Sequence, residues 1–178
     1  MIPLALLLAA GCSGDPRERA NEAIEEANDS IQEHNELFEQ ARNTYEEARE
    51  AIEAGDDPAA ESGRIAEART TLGEARDSLE EAREPLEEVQ ELEVEDPVRE
   101  YAAALSEAME AQVSAENREM EFYELLEEDP ALEESREQAG EILSEVDEGY
   151  DEAETAYGRA QEIADSNPEV MSPETPAQ

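Results

Sequence analysis

Four consecutive heptads between residues 65 and 92 constrain the fold more than any other feature of the sequence. They read IAEARTT, LGEARDS, LEEAREP and LEEVQEL. The first position of each heptad is Ile or Leu and the fourth is Ala or Val, so a narrow apolar stripe follows one side of a helix. Alanine at the fourth position lets a neighbouring helix approach closely. The repeat therefore predicts a long helix that needs tightly packed partner helices.

Asp-Pro pairs divide the rest of the chain into long periodic segments. Asp is favoured at the N-cap and Pro at the first helical position, so each pair is typical of a helix start. The pairs are Asp15-Pro16, Asp57-Pro58, Asp96-Pro97 and Asp129-Pro130. We predict helices over roughly residues 16–54, 58–93, 97–127 and 131–166, each about 45–58 Å long.

The connections between these segments are short, and short connections make consecutive helices antiparallel. The sequence thus predicts an all-α protein, an up-down-up-down four-helix bundle with coiled-coil-like heptad packing over residues 16–166. Pro85 is expected to kink the second helix. The proline-rich segment 167–178 is expected to be a disordered tail.

The third helix has two competing apolar stripes. One consists of Val98, Tyr101, Leu105 and Ala108, followed after Gln112 and Glu119 by Phe122 and Leu126. The other consists of Ala102, Met109, Val113, Met120 and Tyr123. A local stutter in the heptad would account for both stripes.

The charge balance restricts the possible partners. The chain carries 52 acidic residues against 12 basic ones, all Arg, for a net charge of −40. Nucleic-acid binding is not expected, because phosphate neutralisation needs clusters of Lys and Arg. The acidity fits the solvated surface of an ordinary bundle, or a salty habitat, and it keeps the protein soluble.

The single cysteine, Cys12, lies at the end of a short apolar segment. Residues 4–10 read LALLLAA and are too few to span a bilayer, and Gly11-Cys12-Ser13-Gly14 follows. Ala9-Ala10-Gly11-Cys12 resembles the lipobox of bacterial lipoproteins. Met1-Ile2-Pro3 lacks the positive charge of a signal n-region, which a translation start further upstream would supply.

The lipobox resemblance implies that residues 1–11 are a signal peptide and that Cys12 carries the lipid. Residues 12–15 would then be the lipidated cysteine and a short tether. The expected location is the extracytoplasmic face of a membrane, where the lipid is the anchor. The remaining chain is similar in architecture to helical cell-wall-binding lipoproteins of bacteria. An envelope protein or wall polymer is the expected partner, of unknown identity, and the expected state is a monomer.

Motifs for catalysis are missing from the sequence. A di-iron bundle needs paired Glu-x-x-His motifs, whereas this chain has one histidine, and no haem-attachment or phosphate-loop motif occurs. We therefore expect a non-catalytic interaction or spacer module without a cofactor other than the lipid. One alternative is binding of Ca²⁺ or Mg²⁺ by an acidic distal tip. The tip residues are Asp56, Asp57, Glu127, Glu128 and Asp129.

The midpoints of the four helices predict a central polar layer. They fall near His34, Ala75, Gln112 and Gly149, with Tyr150 next to the last. Buried polar groups need partners, so His34 and Gln112 are expected to hydrogen-bond directly or through water. Three alternatives remain open: a layer that fixes helix register, a solvated His34, or a pocket for a small ligand beside the glycine.

Overall fold

The computed structural model describes residues 15–171, which form the predicted four-helix bundle. The helices are α1 (Pro16–Glu53), α2 (Pro58–Glu91), α3 (Asp96–Glu128), α4 (Arg136–Ser166) and α5 (Pro168–Met171). In this part of the chain no helix combines the length and apolar character of a bilayer-crossing segment. The expected signal peptide and lipidated cysteine lie outside the described residues.

Two of the four Asp-Pro pairs begin helices as predicted. The carboxylate of Asp15 accepts a hydrogen bond from the Arg17 amide at 3.0 Å, and Asp57 accepts one from the Ala59 amide at 3.1 Å. The prediction for Asp96 is wrong by one residue. Asp96 is already helical, and the N-cap of α3 is Glu95, whose side chain makes no capping bond.

The last Asp-Pro pair does not start a helix. The predicted start of the fourth helix at 131 is wrong, because α4 begins at Arg136. Asp129 instead organises the connection, since its carboxylate accepts bonds from the amides of Glu133, Glu134 and Ser135 at 2.9–3.1 Å. It also accepts a bond from the Ser135 hydroxyl at 2.6 Å.

The expectation of a disordered tail from residue 167 is wrong for its first part. Pro168–Met171 form the short helix α5, and Val170 packs against the core. Residues 172–178 lie outside the described part.

The four long helices do not pack equally on one another. α1 packs closely on α2, α2 on α3, and α3 on α4, whereas the backbones of α1 and α4 scarcely approach. Arginines at the fifth heptad position of α2 reach across to α3. Arg69 pairs with Glu127 at 2.7 Å, Arg76 donates to Asn117 at 3.1 Å, and Arg83 pairs with Glu110 at 3.5 Å. Among residues 15–171, bonds of this kind join α2 to α3, whereas none joins α1 to α4.

Both stripes of α3 contribute buried residues, and one regular pattern takes members from each stripe, so the predicted stutter is not needed. Alternating steps of four and three residues connect positions 98, 102, 105, 109, 112, 116, 119, 123 and 126. Along α3 the helix is unbroken, and at the centre of this pattern stand three polar residues, Gln112, Glu116 and Glu119. The apolar stripe is interrupted in composition and not in register.

The core consists of two clusters with the polar centre of α3 between them. The first cluster lies at the end where α1 begins and contains mainly Ala, Leu and Val, including Leu79, Leu86 and Met109. The second lies at the end of the α1–α2 and α3–α4 connections and includes Leu72, Phe122 and Tyr123. The candidate site is the layer between the two clusters.

Candidate functional site

His34 lies in the apolar stripe of α1 and is buried, with 1% of its surface exposed. Ile31 and Phe38 flank it one turn away on each side, and helix geometry turns all three towards the core. The ring of Phe38 stacks on the imidazole with centroids 5.4 Å apart. His34 is therefore not the solvated residue that one alternative described.

The main partner of His34 is Glu116 of α3, which is completely buried. The Nε2 atom of His34 lies 2.7 Å from Glu116 Oε1. The second carboxylate oxygen, Oε2, is buried and has no hydrogen-bond partner among the described residues. A buried carboxylate with one unpartnered oxygen carries a high desolvation cost.

Gln112 is where the sequence placed it, in contact with His34. Its Nε2 atom lies 3.1 Å from His34 Nε2 and donates to Glu116 Oε1 at 3.0 Å. Its Oε1 accepts a bond from the Tyr157 hydroxyl of α4 at 2.9 Å. Burial and the nearby charge of Glu116 raise the pKa of Tyr157 to about 12. The four side chains thus connect α1, α3 and α4.

Tyr150 lies next to this group and does not contact His34. Its hydroxyl donates to Glu119 Oε2 at 2.6 Å, and Tyr123 donates to the other oxygen of Glu119 at 2.6 Å. The edge of its ring faces Phe38, with centroids 6.0 Å apart. Burial, followed by the charge of Glu119, raises the pKa of Tyr150 and of Tyr123 well above the ordinary value.

The expected gap at Gly149 is wrong. A Cβ atom at this position would lie 2.9 Å from Ala115 Cβ and 3.3 Å from Ala115 Cα, so α3 occupies the space beside the glycine. Gly149 is a point of close approach between α3 and α4 and not the wall of a cavity. Grooves of 400–740 Å³ lie on the outer surface of the described bundle, and His34, Gln112 and Tyr150 line none of these.

The distal acidic residues have separate roles. Asp57 caps α2, Glu127 pairs with Arg69, and Asp129 organises the α3–α4 connection. Asp56 and Glu128 are exposed. Between residues 15 and 171, no three His, Cys, Asp or Glu side chains converge in a way that could hold a metal ion.

Sequence reasoning missed Glu116, Glu119 and Tyr157, although a signal was present. Ala102, Met109, Glu116 and Tyr123 are spaced by seven residues, and all four are at most 1% exposed. Because the chain has many carboxylates, the inward position of Glu116 becomes visible only when the heptad positions of α3 are assigned across it. Comparisons with protein-family models, curated proteins and solved structures find no match for the chain.

Proposed function

We propose that the protein is a lipid-anchored, extracytoplasmic helical bundle that acts as a non-catalytic interaction or spacer module at the cell envelope. The observation that carries the proposal is the position of Cys12 behind a short apolar segment. Only Ser13, Gly14 and Asp15 separate it from Pro16, where α1 begins. A lipid on Cys12 would hold the bundle directly on the membrane surface.

The dimensions of the bundle favour a spacer or display role. α2 has 34 residues, which corresponds to about 51 Å at about 1.5 Å per residue. With the chain anchored before α1, the α1–α2 and α3–α4 connections lie at the far end. The acidic helix faces are repelled by anionic lipid, and this repulsion favours an upright bundle.

A non-catalytic role is supported by the state of the single histidine. His34 is buried and hydrogen-bonded to Glu116, so a substrate has no access to it in this fold. The carboxylates of the helix faces are mostly exposed, and several of them pair with arginines.

Membrane fractionation tests the anchor. The full chain, given a lysine-bearing leader before Met1, is expressed in a bacterial host together with Cys12→Ala and the neighbouring control Ser13→Ala. We expect the wild type and Ser13→Ala in the membrane fraction, with a diacylglycerol mass on the N-terminal peptide that begins at Cys12. The processed form of Cys12→Ala should be absent from the membrane fraction. Wild type that is soluble and carries no lipid would refute the anchor.

Crosslinking in intact cells separates an interaction role from a spacer role. Asp56 and Glu128 are suitable positions, because both are exposed at the far end and neither caps a helix. A crosslinkable residue at these two positions should capture a defined envelope component if the tip binds a partner. A matched position on the side of the bundle, Glu33, serves as the control. Equal labelling at all three positions would favour a spacer.

A further inference from the structure

The His34–Glu116 pair is a buried titratable group that the proposed function does not use. It lies in a chain with a net charge of −40, and no arginine hydrogen-bonds to Glu116 within the described residues. The donors to its carboxylate are His34 and Gln112, and only His34 can supply a positive charge. An ionised carboxylate facing a neutral imidazole would leave an uncompensated buried charge.

Both ring nitrogens of His34 face side-chain oxygens. Nε2 faces Glu116 Oε1 at 2.7 Å, and Nδ1 faces Asn35 Oδ1 at 3.1 Å. A neutral imidazole has one N–H, whereas an imidazolium has two and can donate to both oxygens. In the imidazolium state, the Nε2 atoms of Gln112 and His34, which lie 3.1 Å apart, both donate to Glu116 Oε1.

The packing of α1 explains what this proton would control. α1 packs its backbone on α2 and scarcely approaches α4, and no other hydrogen bond with both side chains buried connects α1 to α3 in the described bundle. α3 and α4, by contrast, pack closely along their length. Loss of charge on His34 would therefore weaken the attachment of α1 more than that of any other helix.

We propose that His34 and Glu116 form a proton-dependent lock that holds α1 on α3. With the proton bound, the imidazolium donates to the carboxylate and the bundle is closed. Without the proton, the buried carboxylate is uncompensated, and the α1–α4 seam opens so that water can reach Glu116. The closed state binds one more proton than the open state, so closure weakens as the pH rises, by at most about tenfold per pH unit.

The other polar groups around the pair are held by hydrogen bonds. From α3, Glu119 accepts hydrogen bonds from the hydroxyls of Tyr123 and Tyr150. From α4, Tyr157 binds Gln112 and stays protonated, because burial raises its pKa to about 12.

The remaining two helices bring one further charged group close to the pair. From α1, the guanidinium of Arg42 lies over the ring of Phe38, 5.6 Å from its centroid. From α2, the buried residues between Leu72 and Leu79 are Ala75 and Ser78, which are uncharged. His34 is therefore the ionisable side chain in direct contact with Glu116.

The single histidine makes the lock measurable in the full-length chain. Nitrogen NMR of His34 should show protons on both ring nitrogens near pH 6, and hydrogen-exchange protection factors should be measured in parallel from about pH 6 to 9. We expect that, as His34 loses its proton, protection falls in α1 around residues 31–41 while the interior of α2 is unchanged. An imidazole that is neutral throughout, or protection that falls equally in α1 and α2, would overturn the proposal.

A matched pair of variants shows whether the response belongs to Glu116. Glu116→Gln removes the buried charge, and Glu33→Gln removes an exposed charge one residue from His34. We expect Glu116→Gln to abolish the pH response of α1 and Glu33→Gln to keep it. The same response in both variants would contradict the lock. If Glu116→Gln does not fold, the NMR and exchange data on the wild type still decide.

Discussion

The two core clusters on either side of the polar layer are built from different side chains. The buried residues of the first cluster are alanines, leucines, valines and one methionine, and α1 contributes Ala20, Ala23 and Ala27 to it. In the second, Phe38 and Tyr45 of α1 contact the aromatic residues of α3 and α4. The rings of Tyr45 and Tyr123 lie 4.8 Å apart. One heptad pattern thus accommodates two kinds of packing, with the change at the level of His34.

This difference shows how α1 is held along its length. Alanines of α1 allow close contact in both halves, and in the second half large rings of α1 also bridge to α3 and α4. Each ring contact is worth about 0.5–1.5 kcal/mol beyond its buried area. The polar layer lies between the two halves. It sets the alignment of α1 against α3, because its hydrogen bonds form in one alignment.

The largest expected effect on stability comes from removing an aromatic side chain from the second core cluster. Phe122→Ala should lower the free energy of unfolding by about 3–5 kcal/mol, because Phe122 is buried and leaves a cavity. Leu143→Ala is the control, since Leu143 is 40% exposed and its loss should change stability by less than about 0.5 kcal/mol. Urea denaturation measures both. Equal losses for the two variants would mean that the second cluster is not a packed core.

A medium effect is expected where α3 and α4 approach each other between the two halves. Gly149→Ala places a methyl group 2.9 Å from Ala115 Cβ and should cost about 1–3 kcal/mol. Gly158→Ala on the same helix meets nothing within 4 Å and should stabilise by about 0.5–1 kcal/mol. Thermal denaturation measures the pair. A stabilising Gly149→Ala would contradict the close approach at this level.

A smaller effect is expected at the far end of the second half. Hydrogen bonds from Ser135 and from the backbone lower the pKa of Asp129 from 3.8 to about 2. Because the pKa of Asp129 is lowered in the folded state, its ionised carboxylate stabilises the fold at pH values above the ordinary pKa of 3.8. This contribution disappears as the pH falls through about 2. Asp129→Ala should therefore destabilise the chain at pH 7 and have little effect near pH 2.

The control for Asp129 is Asp56→Ala in the exposed α1–α2 connection. Thermal melts of both variants at the two pH values measure the effect. A loss in Asp129→Ala that is the same at pH 7 and near pH 2 would show that the carboxylate does not organise the connection.

The sequence predicted most of the fold because heptads and Asp-Pro pairs are local signals. The start of α4 was missed because the same Asp signal serves a connection, where Asp129 accepts bonds from residues 133–135. Leu132 in that connection has a positive φ of 50°, which no pattern in the sequence indicates. A local signal shows that a turn begins and does not show when the helix resumes.

The candidate site was predicted in part. His34 and Gln112 stand on inward stripes, and their contact follows from matching helix midpoints. The involvement of Glu116 and Tyr157 depends on the rotation of α3 and α4 about their axes. Burial of Glu116 also has a free-energy cost, and its only partner in the described residues that can carry a positive charge is His34, 82 positions away in the chain. Such a pairing is a property of the assembled bundle.

The central claim is that His34 and Glu116 act as a pair to join α1 to α3 between the two halves of the core. A double-mutant cycle with His34→Leu, Glu116→Leu and the double variant, measured by urea denaturation at pH 6, tests it most directly. Each single variant leaves the other group buried without its charged partner and should cost about 3–5 kcal/mol, whereas the double variant should recover most of that loss. Losses that simply add in the double variant would contradict the claim.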